Sequence, residues 1–81
     1  MSDRMRVLLV EDDPQLGPLI QQVLGEVYDV LRVMTGERAL VEGCAHDFAA
    51  IVVDRRLPDL DGAELVATFR ERGVVCPILM L

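Results

Sequence analysis

Apolar positions in this chain change period several times, and each change falls at a turn former or a cap. Met5 to Val10 is a short, nearly continuous run of aliphatic and β-branched residues, the pattern of a strand covered on both faces. Asp13-Pro14 follows as a candidate N-cap with a first-turn proline. Leu16, Leu19, Ile20, Val23, Leu24 and Val27 then recur at spacings of three and four, which predicts a helix with one apolar stripe. Tyr28 to Val33 predicts a second, less apolar strand, and Thr35-Gly36 opens a short helix with Ala39, Leu40, Gly43 and Cys44 facing inward. Phe48 to Val53 is another buried-strand run. Beyond a loop shaped by Pro58 and Gly62, the residues Leu65, Val66 and Phe69 predict a third helix, which Gly73 terminates. The last segment, VVCPILML, reads as a fourth strand whose proline lies near its start, where a missing N–H does least harm.

Strands that alternate with helices over short connections predict an α/β domain, a doubly wound parallel sheet with helices on both faces. Ligands bind such sheets beyond the carboxyl ends of the strands, where the strand order reverses. Two of the strands end there in acid: RVLLV runs into Glu11-Asp12-Asp13, and the third strand finishes on Asp54. If the first and third strands are neighbours, Glu11, Asp12 and Asp54 share one crevice. Carboxylates ~4 Å apart repel by roughly 4 kcal/mol per pair at an effective dielectric of about 20, so the crevice needs a cation. The chain's eight basic residues are all arginines, and with no lysine available the economical cation is a hard divalent ion, Mg²⁺ above all.

Composition sets the remaining bounds. The 81 residues are 52% apolar with a net charge of −6, which fits one small domain over residues 1–81. An acidic balance argues against nucleic-acid binding by this segment, because phosphate recognition needs clustered positive charge. No apolar stretch approaches the ~20 residues that span a bilayer and no signal-peptide core opens the chain, so a cytoplasmic location without membrane contact is expected. Cys44 and Cys76 lack metal-type spacing and read as reduced, part-buried residues. His46 reads as a surface residue, Tyr28 and Phe48 as core or rim packing, and Asp13, Asp59 and Asp61 as cap or turn residues rather than ligands. Arg55 and Arg56 read as a solvated basic pair, with Arg56 placed so that its side chain could overhang the crevice.

LLVEDDP and VVDRRLPDLDG together resemble the receiver domain of bacterial two-component response regulators: an acidic pair after the first strand, and a phosphoacceptor aspartate followed by a Leu-Pro-x-x-Asp-Gly loop. CPILML is similar to that family's fourth strand. The resemblance implies a flavodoxin-like order of 2-1-3-4-5, with strands one and three side by side. It implies that Asp54 accepts a phosphoryl group from a sensor histidine kinase, a case of carboxylate nucleophilic catalysis. It further implies that Asp12 binds Mg²⁺ directly, that Glu11 reaches the ion through water, and that the backbone carbonyl of Arg56 completes the set alongside Asp54. The domain would be a phosphoacceptor that assists its own phosphorylation and dephosphorylation, not a conventional enzyme. It would control an output domain, such as a DNA-binding transcriptional regulator, or pair with another receiver.

A complete receiver continues past its fourth strand with a Ser or Thr, a helix, a fifth strand ending in lysine and a last helix. Those elements are missing here, so the chain is expected to be a receiver truncated after the fourth strand, which leaves VVCPILML at a sheet edge and part of one sheet face uncovered. Two other readings stand beside this one. The first is a receiver-like interaction module that is never phosphorylated. The second is a Mg²⁺-dependent phosphohydrolase with an aspartate nucleophile, for which EDDPQ has the wrong acid spacing.

Overall fold

Strands joined through helices pair in parallel, and in the computed structural model, which describes residues 4–81, they form one four-stranded sheet. The elements are β1 (Arg6–Val10), α1 (Leu16–Gly25), β2 (Asp29–Val33), α2 (Gly36–Ala45), β3 (Ala50–Val53), α3 (Gly62–Glu71) and β4 (Ile78–Met80). All strand pairs are parallel in the order β2-β1-β3-β4, so β1 and β3 are neighbours as the family resemblance implies. This is the flavodoxin-like arrangement. Register places Val10 opposite both Val33 and Val53, so β1, β2 and β3 finish at one level.

Most of the core lies between the sheet and the α2/α3 layer. Leu8, Val10, Ile51 and Val53 point to that side and meet Ala39, Leu65 and Phe69, all at full burial. Helix α2 approaches closely because Gly36, Ala39 and Gly43, spaced three and four apart, face inward. A Cβ added at Gly43 would run into the Phe69 ring. Cys44, about 100° further round the helix, is exposed, which corrects the expectation that it is part-buried; Cys76 is half-buried as expected, and both thiols are free.

The other face carries α1 alone among the described helices, and the predicted stripe is only half used. Ile20 and Leu24 are half-buried, whereas Leu19, Val23 and Val27 stay 57–62% exposed. Beside them Met5, Val7, Leu24, Tyr28, Ala50, Val52 and Leu79 line an apolar groove of about 290 Å³. Strand β4 is shorter than VVCPILML suggested because Arg70 Nη1 donates to the carbonyls of Val74 (2.8 Å) and Cys76 (2.9 Å), and Pro77 has no N–H to offer. The ladder therefore begins only at Pro77, whose carbonyl accepts from Ile51 N–H at 3.0 Å. Gly73, with φ +85°, makes the left-handed turn that ends α3.

The tight α2 contact generates a prediction. Gly43→Ala should lower stability by about 1–3 kcal/mol through overpacking. Phe69→Leu should cost less in the Gly43→Ala background than in wild type, because the smaller side chain relieves the overlap. Urea midpoints at unchanged m-value measure both effects; a Gly43→Ala midpoint equal to wild type would mean that the α2 contact is looser than described.

Candidate functional site

Asp54 follows β3 directly, and its N–H donates to the Val10 carbonyl at 2.9 Å, so the β1–β3 ladder extends to the residue itself. Glu11 follows β1 and is held in the same way from the other side, its N–H donating to Val33 O at 3.0 Å. These bonds bring carboxylate oxygens of Glu11, Asp12 and Asp54 within 4.8 Å of one another. Glu11 is buried to 1% exposure, Asp54 is half-buried and Asp12 is exposed. Glu11 Oε1 accepts from Asp13 N–H at 3.1 Å, and Oε2 is buried without a hydrogen-bond partner. Burial pushes the Glu11 pKa up; the Asp13 amide opposes that, and the charges of Asp54, Asp12 and Asp13 add to it.

An all-oxygen donor set with one orphaned, desolvated carboxylate oxygen fits a hard divalent cation. The same acids without a cation keep like charges at short range and leave a buried polar atom unsatisfied, a costly arrangement.

The loop after Asp54 is pinned by backbone geometry and by acids that face away from the crevice. Gly62 N–H donates to Arg55 O at 2.8 Å, and a Cβ at Gly62 would run into the carbonyl oxygen of Asp54. Asp61 caps α3 by accepting from Ala63 N–H at 2.9 Å. Asp59 reaches across to α2, its two carboxylate oxygens accepting from Gly36 and Glu37 N–H at 2.8 Å each, while Leu60 packs under Gly36. Those two amides hold the Asp59 carboxyl below its usual range. Asp13 accepts from the N–H groups of Gln15 and Leu16, 2.8 Å each, and so caps α1 although the regular helix starts at Leu16. His46 and the Arg55–Arg56 pair are exposed. Arg56, whose predicted part is its backbone carbonyl, stands two residues beyond Asp54 in a backbone bridge with Asp61. Two features escaped the sequence reading: Asp59 as a cap on a distant helix, and Arg32, whose guanidinium sits on the β1–α1 loop.

A parallel sheet of this order with an acid crevice at its switch point defines a flavodoxin-like domain. The sequence model of the response regulator receiver domain matches residues 7–81, and the chain belongs to that family. It is 38% identical over 78 residues to the cell cycle response regulator CtrA of Brucella ovis, and 32% identical over 77 residues to the transcriptional regulatory protein CiaR of Streptococcus pneumoniae. Each match covers 95% of this chain and 34% of the relative, so the chain spans about a third of the length of these proteins. Among solved structures, the response regulator TrrA of Thermotoga maritima in complex with Mg(2+)-BeF superposes with a TM-score of 0.87 at 25% identity, covering 94% of this chain and 67% of that one. No described helix is long and apolar enough to cross a membrane.

The caps set an acid limb of stability with a definite sign. A carboxyl whose folded pKa is depressed adds stability that is present above its ordinary value of 3.8 and is lost as pH falls through the lowered folded value. Asp59→Asn keeps an acceptor and removes the charge. Its urea midpoint should therefore fall below wild type at neutral pH, with the gap closing as pH drops below about 4. A gap that stays constant with pH would show that the Asp59 charge adds nothing.

Proposed function

We propose that this receiver takes a phosphoryl group from the phosphohistidine of a sensor histidine kinase onto Asp54, in the cytoplasm and with Mg²⁺ held by Asp12, Asp54, the Arg56 carbonyl and, through water, Glu11. The observation that carries the proposal is the acid crevice with its orphaned Glu11 oxygen. Support comes also from TrrA, a relative by fold whose structure contains Mg²⁺ and BeF. When bound, the ion neutralises the charge that would otherwise hold an anionic phosphoryl group away from three carboxylates.

The chain's own residues do the rest. An oxygen of Asp54 forms the new P–O bond as the P–N bond to the kinase imidazole breaks. The bonding electron pair leaves with the ring nitrogen, which then carries a proton from solvent. The product is an acyl phosphate on Asp54, and water attack on it regenerates the carboxylate and releases inorganic phosphate. Backbone bonds at both ends of the site, Asp54 to Val10 and Gly62 to Arg55, fix the backbone that carries the acceptor. The domain thus acts as a signalling acceptor that contributes to its own turnover. In a longer parent of the length of CtrA or CiaR, phosphorylation would govern an output domain, with transcription as the controlled process, or pairing with a second receiver.

Incubation with a small acyl phosphate and Mg²⁺ should add one phosphoryl mass to the intact protein and none to Asp54→Asn. Mg²⁺ at about a hundred times its dissociation constant should stabilise the fold by ~2.7 kcal/mol, and Asp12→Ala should remove most of that gain. Phosphorylation of Asp54→Asn to wild-type extent would refute the acceptor. Mg²⁺ binding without any phosphorylation would favour the unphosphorylated interaction module.

A further inference from the structure

Arg32 lies on β2, opposite Leu9 of β1, and its half-buried side chain turns toward the acidic loop. Its Nε donates to the carbonyl of Glu11 at 3.0 Å and its Nη2 to the carbonyl of Asp13 at 3.1 Å. One planar fork therefore fastens the residues on either side of Asp12. Asp13 O also accepts from Gly17 N–H at 2.9 Å, so the same carbonyl joins the loop to α1. Gly17 is buried, and an added Cβ would fall on Cζ, Nε and Nη2 of Arg32: the first turn of α1 leaves a slot that the guanidinium fills.

Among the described residues, no donor holds the Asp12 carboxylate itself. The backbone that carries it is fixed on both sides, at Glu11 and Asp13, and so sets where its side chain starts. We propose that Arg32, seated in the Gly17 slot, is a positioning residue for the crevice: it fixes the Glu11–Asp13 backbone so that Asp12 is presented beside Glu11 and Asp54 for the cation. This rests on the Mg²⁺ reading above.

Charge and positioning predict opposite signs, which makes the inference sharp. Arg32 is a cation near a cation site, so on Coulombic grounds alone its removal should tighten Mg²⁺ binding. As a clamp on the loop, its removal should loosen the ligand geometry and weaken binding, by about tenfold or more, as loss of a supporting partner does in other metal sites. Lysine cannot bridge two carbonyls with a rigid fork, so Arg32→Lys should fall between wild type and Arg32→Ala. Gly17→Ala alters no charge and evicts the guanidinium, so it should weaken Mg²⁺ binding to a similar degree.

The test is Mg²⁺ titration by calorimetry of wild type, Arg32→Ala, Arg32→Lys, Gly17→Ala and the Gly17→Ala/Arg32→Ala pair, each checked for a cooperative melt, with Arg38→Ala as a charge-loss control. The expected result is weaker binding in all three single variants at the loop, no change in Arg38→Ala, and a double variant no worse than Arg32→Ala alone, because both substitutions remove one interaction. Should Arg32→Ala fail to fold, Arg32→Lys and Gly17→Ala decide. Unchanged or tighter Mg²⁺ binding in the folded variants, beside a wild type that binds, overturns the positioning role and leaves the Mg²⁺ reading intact. A wild type that binds no Mg²⁺ overturns both.

Discussion

The pairing of Val10 with Val53 across β1 and β3 is the constraint on which the site depends. It ends two strands at one level, and the chain continues from each into acid. The same two valines are fully buried in the α2/α3 core. Hydrophobic packing therefore fixes a register that electrostatics opposes, since a slip of one residue in either strand would turn that strand's valine away from the core. The crevice is held together by apolar contacts on the strands and pushed apart by charge at their ends, which is why a cation suits it.

Acidic residues around the crevice divide into two groups by what their oxygens face. Glu11, Asp12 and Asp54 point at one another, whereas Asp13, Asp59 and Asp61 accept from backbone N–H groups at the starts of α1, α2 and α3. Carboxylates at helix N-termini are stabilised by the orphan amides and the helix dipole. The three caps thus fix the loops from which the crevice acids project. Asp59 does this at long range, because it joins the loop after the acceptor to the start of α2, so displacement of that loop would release two amides of a neighbouring helix.

Element order and the caps at Asp13, Thr35 and Asp61 were legible in the sequence, because they rest on local periodicity and turn chemistry. The neighbouring of β1 and β3, and with it the convergence of the three acids, followed from the family resemblance. Contacts between segments far apart in the chain were not legible. An aspartate that caps a helix 22 residues away looks, in sequence, like any turn acid. Arg32 looked like a polar residue in a weak strand, although an arginine set within the run DVLRV, one position before the strand's buried end, was the available signal. Cys44 was misjudged because the inward stripe was drawn too wide: Gly43 takes the inward position as expected, and Cys44, one residue further round the helix, is exposed.

The two faces of the sheet contribute unequally, and the inequality separates stability from chemistry. Substitutions at Leu65, Phe69 or Ile51 remove side chains that are fully buried, where losses run to about 2–5 kcal/mol. Val23, Val27 and Leu79 are 59–62% exposed, and their truncation has less burial to lose. The acidic loop, however, is anchored from the weaker side: Arg32 ties it to Gly17 of α1, the helix with the least buried stripe. Asp13 adds direct bonds from the same loop to Gln15, Leu16 and Gly17 at the start of α1, so the backbone on one side of Asp12 is tied to that helix. The α2/α3 face thus carries most of the buried core, while the α1 face carries the anchors of the acidic loop.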